Sequence, residues 1–116
     1  MTIFDIKNLL NADVLCCEEF LNKEVHTACG SDMMSDVLAF VKDQSVLITG
    51  LCNPQVVRTA EMMDMICICL VRGKNPDESI IELAKEKGIV ILATKQKMFA
   101  ACGILYGNGL HGGAVR

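Results

Sequence analysis

The run Ser45-Val46-Leu47-Ile48-Thr49-Gly50-Leu51-Cys52-Asn53-Pro54 decides the fold. A short, continuous apolar segment gives way to a glycine-containing loop, and the loop closes on Asn-Pro, a helix N-cap followed by the residue best suited to the first helical position. A strand that is apolar without alternation is covered on both faces, as strands of parallel sheets are. The same grammar recurs downstream. Met65 to Val71 and Ile89 to Ala93 read as further buried strands, and the segments between them are amphipathic. Asn75-Pro76 repeats the capping device, with Glu78 placed to complete a capping box. In the helix that follows, Ile80, Ile81, Leu83 and Ala84 form the apolar stripe, and Gly88 supplies the stop.

Thr94 is expected to cap a last helix whose apolar face is Met98, Phe99, Ala101, Cys102 and Leu105, ending at Gly107-Asn108-Gly109. Upstream of Ser45 the sequence predicts a helix over Ile3–Leu10, strands near Val14–Cys17 and Val25–Cys29, and a helix from about Asp32 to Val41 capped by Ser31. The fold expected is a single-domain, three-layer α/β/α sandwich around a mostly parallel sheet. It spans residues 3–110, with a flexible tail at 111–116.

Composition sets the outer limits. The chain has 116 residues, enough for one core, and 52% of them are hydrophobic with only 4% aromatic, so aliphatic, Cys and Met side chains fill the interior. A net charge of −3 without a basic run lacks the cationic footprint of a nucleic-acid binder. Asp64 interrupts the most apolar stretch, Met62 to Val71, which is far short of the roughly 20 residues needed to span a membrane. The N-terminus carries no export pattern, which makes the cytoplasm the expected compartment.

Seven cysteines, Cys16, Cys17, Cys29, Cys52, Cys67, Cys69 and Cys102, lie mostly in apolar runs and read as reduced, buried thiols suited to a reducing or anaerobic cell. Cys67 and Cys69 fall on one face of a strand, which suits core packing better than zinc ligation. Cys52 stands ahead of a helix N-terminus, where a thiolate is stabilised, and is the cysteine to test for reactivity.

Gly107-Asn108-Gly109-Leu110-His111-Gly112 spells G-x-G-x-x-G, but it follows a helix instead of a strand and is a helix stop. No phosphate-loop, zinc-protease or hydrolase signature is present, and no motif specifies a cofactor, a metal or a catalytic residue. The more useful constellation is at the carboxyl ends of the strands, where open α/β sheets place ligands. Thr49, Gly50 and Asn53, then Arg72, Gly73 and Lys74, then Thr94 and Lys95 should lie along one rim, with Lys97 beyond them. Each loop feeds a helix N-terminus, and the cations favour a small phosphate, carboxylate or nucleotide. The same residues also serve as ordinary solvated turn formers. Asp32 and Asp36 are one helical turn apart, and Asp32 reads as helix-end charge.

Several segments carry a resemblance. Gly30-Ser-Asp-Met-Met-Ser-Asp-Val-Leu-Ala39, Ser45 to Gly50, Asn53-Pro54 and Lys87 to Thr94 look like the small DRTGG-domain proteins of anaerobic bacteria, over Ile6 to Leu110. The name-giving Asp-Arg-Thr-Gly-Gly string is missing, and Val71-Arg72-Gly73 is its nearest remnant. The resemblance implies a fold similar to the N-terminal domain of HPr kinase/phosphorylase, without the kinase, and relatives attached to phosphate acetyltransferases and CBS-containing pyrophosphatases. It implies an accessory, dimerising role, and a neighbourhood of hydrogenase-related proteins for stand-alone members. The expected function is therefore a non-catalytic, homodimeric regulatory module that binds a small anionic metabolite or nucleotide. The alternatives are a ligand-free assembly protein for a redox partner and a thiol-redox or metal-handling protein built on Cys52.

Overall fold

A computed structural model describes residues 1–40 and 42–113. Its elements are α1 (Ile3–Leu9), β1 (Asp13–Cys16), a 3₁₀ turn (Glu18–Phe20), β2 (Thr27–Gly30), α2 (Met34–Val37), β3 (Ser45–Thr49), α3 (Pro54–Met62), β4 (Cys67–Leu70), α4 (Glu78–Lys87), β5 (Val90–Ala93) and α5 (Met98–Gly107). The five strands form one sheet in the order β1-β5-β4-β3-β2. β2 to β5 are parallel neighbours in chain order, and β1 runs antiparallel along β5.

That order fixes the layers. Right-handed crossovers between strands that always step the same way put their helices on the same face. Accordingly α3 packs against both α2 and α4, while α5 lies over β3 and touches α1, forming the other layer. The three-layer α/β/α sandwich is the architecture expected. Its centre is built from fully buried strand residues, including Val46, Leu47, Ile68, Cys67, Cys69, Val90 and Leu92. Cys67 and Cys69 are thus core hydrophobes.

Local signals were honoured where no other group competed for them. Asn53 accepts from Val56 N with Pro54 at the first turn, and Gly88 ends α4 in a left-handed conformation. Four expectations give way. α4 starts at Glu78 because the Asp77 carboxylate, not Asn75, accepts from Ile80 N, so Glu78 closes no box with Asn75. α5 starts at Met98 with Lys97 as an N-cap lacking a side-chain bond, because the Thr94 hydroxyl accepts from Gln96 N in a turn ahead of the helix. α2 is a single turn, because Ser31 Oγ accepts from Met33 N and turns the chain before the helix begins. Val41, the expected end of that helix, lies outside the described residues. Finally, Phe99 is 93% exposed and faces away from the core that Ala101 and Leu105 fill.

Of the expected tail, residues 114–116 lie outside the described residues. Leu110 is buried, Ala28 N donates to His111 O at 2.9 Å along the outer side of β2, and the His111 ring lies 4.5 Å from that of Tyr106.

Candidate functional site

Because β2 to β5 wind in one direction, the parallel part contains no reversal of strand order, the usual place for a ligand crevice. The change of direction comes at the β5–β1 edge. There the antiparallel pairing sets Asp13, the first residue of β1, opposite Ala93, the last of β5. The α1–β1 connection is thereby brought to the carboxyl ends of β4 and β5, and a groove of about 500 Å³ opens between them. Its walls are Leu10, Asn11 and Asp13 on one side, Gly73, Lys74 and Asn75 on another, and Ala93 to Gln96 on the third.

Thr94 holds this corner together. It is buried, its hydroxyl donates to Leu10 O at 2.8 Å and accepts from Gln96 N at 3.2 Å, and its own N–H donates to Leu70 O. The β4 turn is tied in by Arg72 N to Gln96 O (2.8 Å) and Gly73 N to Thr94 O (3.0 Å). Arg72 and Gly73 both have positive φ, 64° and 68°, a backbone that glycine adopts freely and arginine rarely does. With these two amides already bonded, an anion in the groove would be met by the Lys74 and Lys95 side chains. Among the described residues, the side chains of Asn11, Asp13, Lys74, Asn75, Lys95 and Gln96 form no hydrogen bond or ion pair within the chain.

The eight rim residues named from sequence therefore separate into groups. Gly73, Lys74, Thr94 and Lys95 share the groove. Thr49, Gly50 and Arg72 gather instead around Asp32, whose Oδ1 accepts from Gly50 N at 2.7 Å and Thr49 Oγ1 at 3.1 Å. The Arg72 guanidinium approaches its Oδ2 at 3.8 Å. Asn53 spends its side-chain oxygen on the α3 cap. Sequence reasoning assigned Asp32 to a helix end, and it missed Asn11, Asp13 and Gln96 as groove walls. Only the pairing of β1 with β5 brings Asn11 and Asp13 there, and no local pattern announces that.

Burial pushes Cys52 above its ordinary value, Asp77 adds to the rise and Lys74 opposes it, so the helix end ahead of which it stands does not make a stable thiolate. Burial raises Cys29 and Cys102 as well, and Cys69 to about 12. Among the described residues no three His, Cys, Asp or Glu side chains are grouped to hold a metal ion. No helix among them is long and apolar enough to cross a membrane.

Comparison with known proteins adds three findings. A family model described as the DRTGG domain matches residues 5–106. No curated protein matches the chain. Among solved structures, the CBS and DRTGG domains of the regulatory region of Clostridium perfringens pyrophosphatase, complexed with its activator diadenosine tetraphosphate, superpose with a TM-score of 0.71 at 21% identity. The alignment covers 90% of this chain and 45% of that one, so this chain spans less than half the length of that regulatory region. The likeness is one of fold, and it is to a pyrophosphatase's regulatory region; the likeness to HPr kinase/phosphorylase stays an expectation of the sequence.

Proposed function

The chain belongs to the DRTGG domain family, and from that premise we propose that it is a non-catalytic regulatory module binding a small anionic ligand, of phosphate or nucleotide type, in the groove between Lys74 and Lys95. The observation that carries this reading is the convergence of six polar side chains, otherwise unengaged among the described residues, on one open groove at the strand ends. Two lysines there supply charge for a phosphoryl group. Asn11, Asn75 and Gln96 offer amides and Asp13 a carboxylate, groups able to bond the hydroxyls or base edge of a nucleoside. The activator bound by the pyrophosphatase regulatory region is a dinucleotide, which agrees with that ligand class.

A regulatory module needs a surface on which to act, and α5 offers one. It is apolar on almost every side, and its Phe99 and Tyr106 are 93% and 64% exposed. Helices apolar all round are normally covered. In our reading this face pairs two copies of the chain, which is the homodimer expected from the family. The same exposed face also favours a second reading, an assembly protein that holds a redox partner without any ligand.

Thermal shift against adenine and guanine nucleotides and pyrophosphate, with Lys74→Ala and Lys95→Ala alongside, separates the two. A ligand at about 100 times its dissociation constant adds roughly 2.7 kcal/mol, and both variants should lose that stabilisation. If no compound stabilises the protein, the groove is not a binding site and the assembly reading takes over. Phe99→Glu should convert dimer to monomer in light scattering and remove the dependence of the melting temperature on protein concentration that a dimer confers.

A further inference from the structure

The Asp32 carboxylate is a bound anion supplied by the chain itself. Its partners, a loop N–H at Gly50, the Thr49 hydroxyl and the Arg72 guanidinium, are the donors that would receive a phosphoryl oxygen. Asp32 and Arg72 are 44% and 49% exposed, so a solute anion can reach this cluster. Arg72 directly precedes Gly73 and Lys74 of the groove, yet its guanidinium lies back across Gly50. The approach is so close that a Cβ added at Gly50 would sit 2.8 Å from the guanidinium carbon. The left-handed backbone at Arg72, uncommon for any residue but glycine, is of the kind found at switch regions.

We propose that Asp32 is a displaceable internal competitor for the groove's ligand: it occupies the acceptor place formed by Gly50, Thr49 and Arg72, and a phosphoryl group bound along the β4 turn takes that place and dislodges the Ser31–Met33 turn. This rests on the ligand reading above for its source of anion and on the Asp32 contacts for its place. Met33, 60% exposed and next in sequence, carries the displacement to the surface. A site whose competent form is only partly populated binds its ligand more weakly by that fraction, so removing the competitor should tighten binding.

The probe is inorganic pyrophosphate, titrated calorimetrically into the full chain. Asp32→Ala should bind it at least about tenfold more tightly than wild type, with Asp32→Asn, which keeps an acceptor but no charge, in between. In wild-type protein the Gly50 and Met33 amide resonances should move together on saturation. If Asp32→Ala binds no more tightly while Lys95→Ala abolishes nucleotide stabilisation, the groove reading stands and the competitor falls. If Asp32→Ala gains the tenfold and Lys95→Ala changes nothing, the subsite stands and the groove reading falls. Should Asp32→Ala fail to fold, a Gly50 amide unmoved by saturating pyrophosphate in wild type overturns the proposal.

Discussion

Thr94→Val tests whether the groove's corner is held by one hydroxyl. Valine keeps the branched shape and the methyl but removes the donor that Leu10 O receives at 2.8 Å and the acceptor that Gln96 N uses at 3.2 Å. The site is 3% exposed, so water cannot freely replace the lost donor at Leu10 O, and a buried acceptor left bare costs about 1–3 kcal/mol. Gln96 is only half-buried and its N–H can be hydrated, so its share is small. Taking about 2 kcal/mol in all, and roughly 4 °C per kcal/mol for a domain of this size, the melting temperature should fall by about 8 °C. Thr94→Ser keeps both bonds and loses one buried methyl, about 0.8 kcal/mol or roughly 3 °C. Urea melts of the three proteins should show unchanged slopes and midpoints in the order wild type, Ser, Val. A valine variant within about 0.5 kcal/mol of wild type, or a serine variant as damaged as the valine one, would refute the hydrogen-bond account.

Gly73→Ala meets no neighbour but has to hold φ at +68°, so it should cost about 1 kcal/mol from backbone strain alone, read as a lower melting temperature. Gly50→Ala carries no such strain and should instead dislodge the Arg72 guanidinium, visible as a shift of the Asp32 side-chain resonance with little change in stability. The rate of Cys52 alkylation by iodoacetamide should still be climbing with pH past 9.0, where an ordinary thiol levels off, since burial raises its thiol; a plateau below pH 9.0 would contradict that environment. Asp43 is held below 3.8, first by the His26 side chain and then by Gln44 N. A lowered carboxyl contributes stability above its unfolded value and loses it as the pH falls through the folded one. Acid titration of Asp43→Asn should therefore show a shallower loss of stability below pH 3.8 than wild type.

The βαβ succession was legible because its signals are local and unopposed. The apolar strand Ser45–Thr49, the Asn53-Pro54 cap and the Gly88 stop each decide their own few residues. Caps failed where another oxygen or another partner was in reach. Thr94 accepts from Gln96 N in a turn ahead of the helix, and Asp77 outcompetes Asn75 for the helix start. The site was half legible for the same reason. Strand ends place Gly73, Lys74, Thr94 and Lys95 together by topology alone, but the opposite wall comes from the α1–β1 connection, and the contact of Asp32 with Gly50 spans 18 residues. Phe99 shows a different limit, since hydrophobicity does not state on which side of a helix the rest of the molecule lies.

The strap formed by Leu110 and His111 lies on the strand where the sheet would otherwise be open to continuation. β2 is four residues long, and one of its outward N–H groups is already taken by His111 O. An outer strand with unspent donors and acceptors is a template for another chain. Cut the polypeptide after Gly107 and that guard is gone: the truncated protein should pair with other chains edge to edge along β2, turning a discrete species into a polydisperse one.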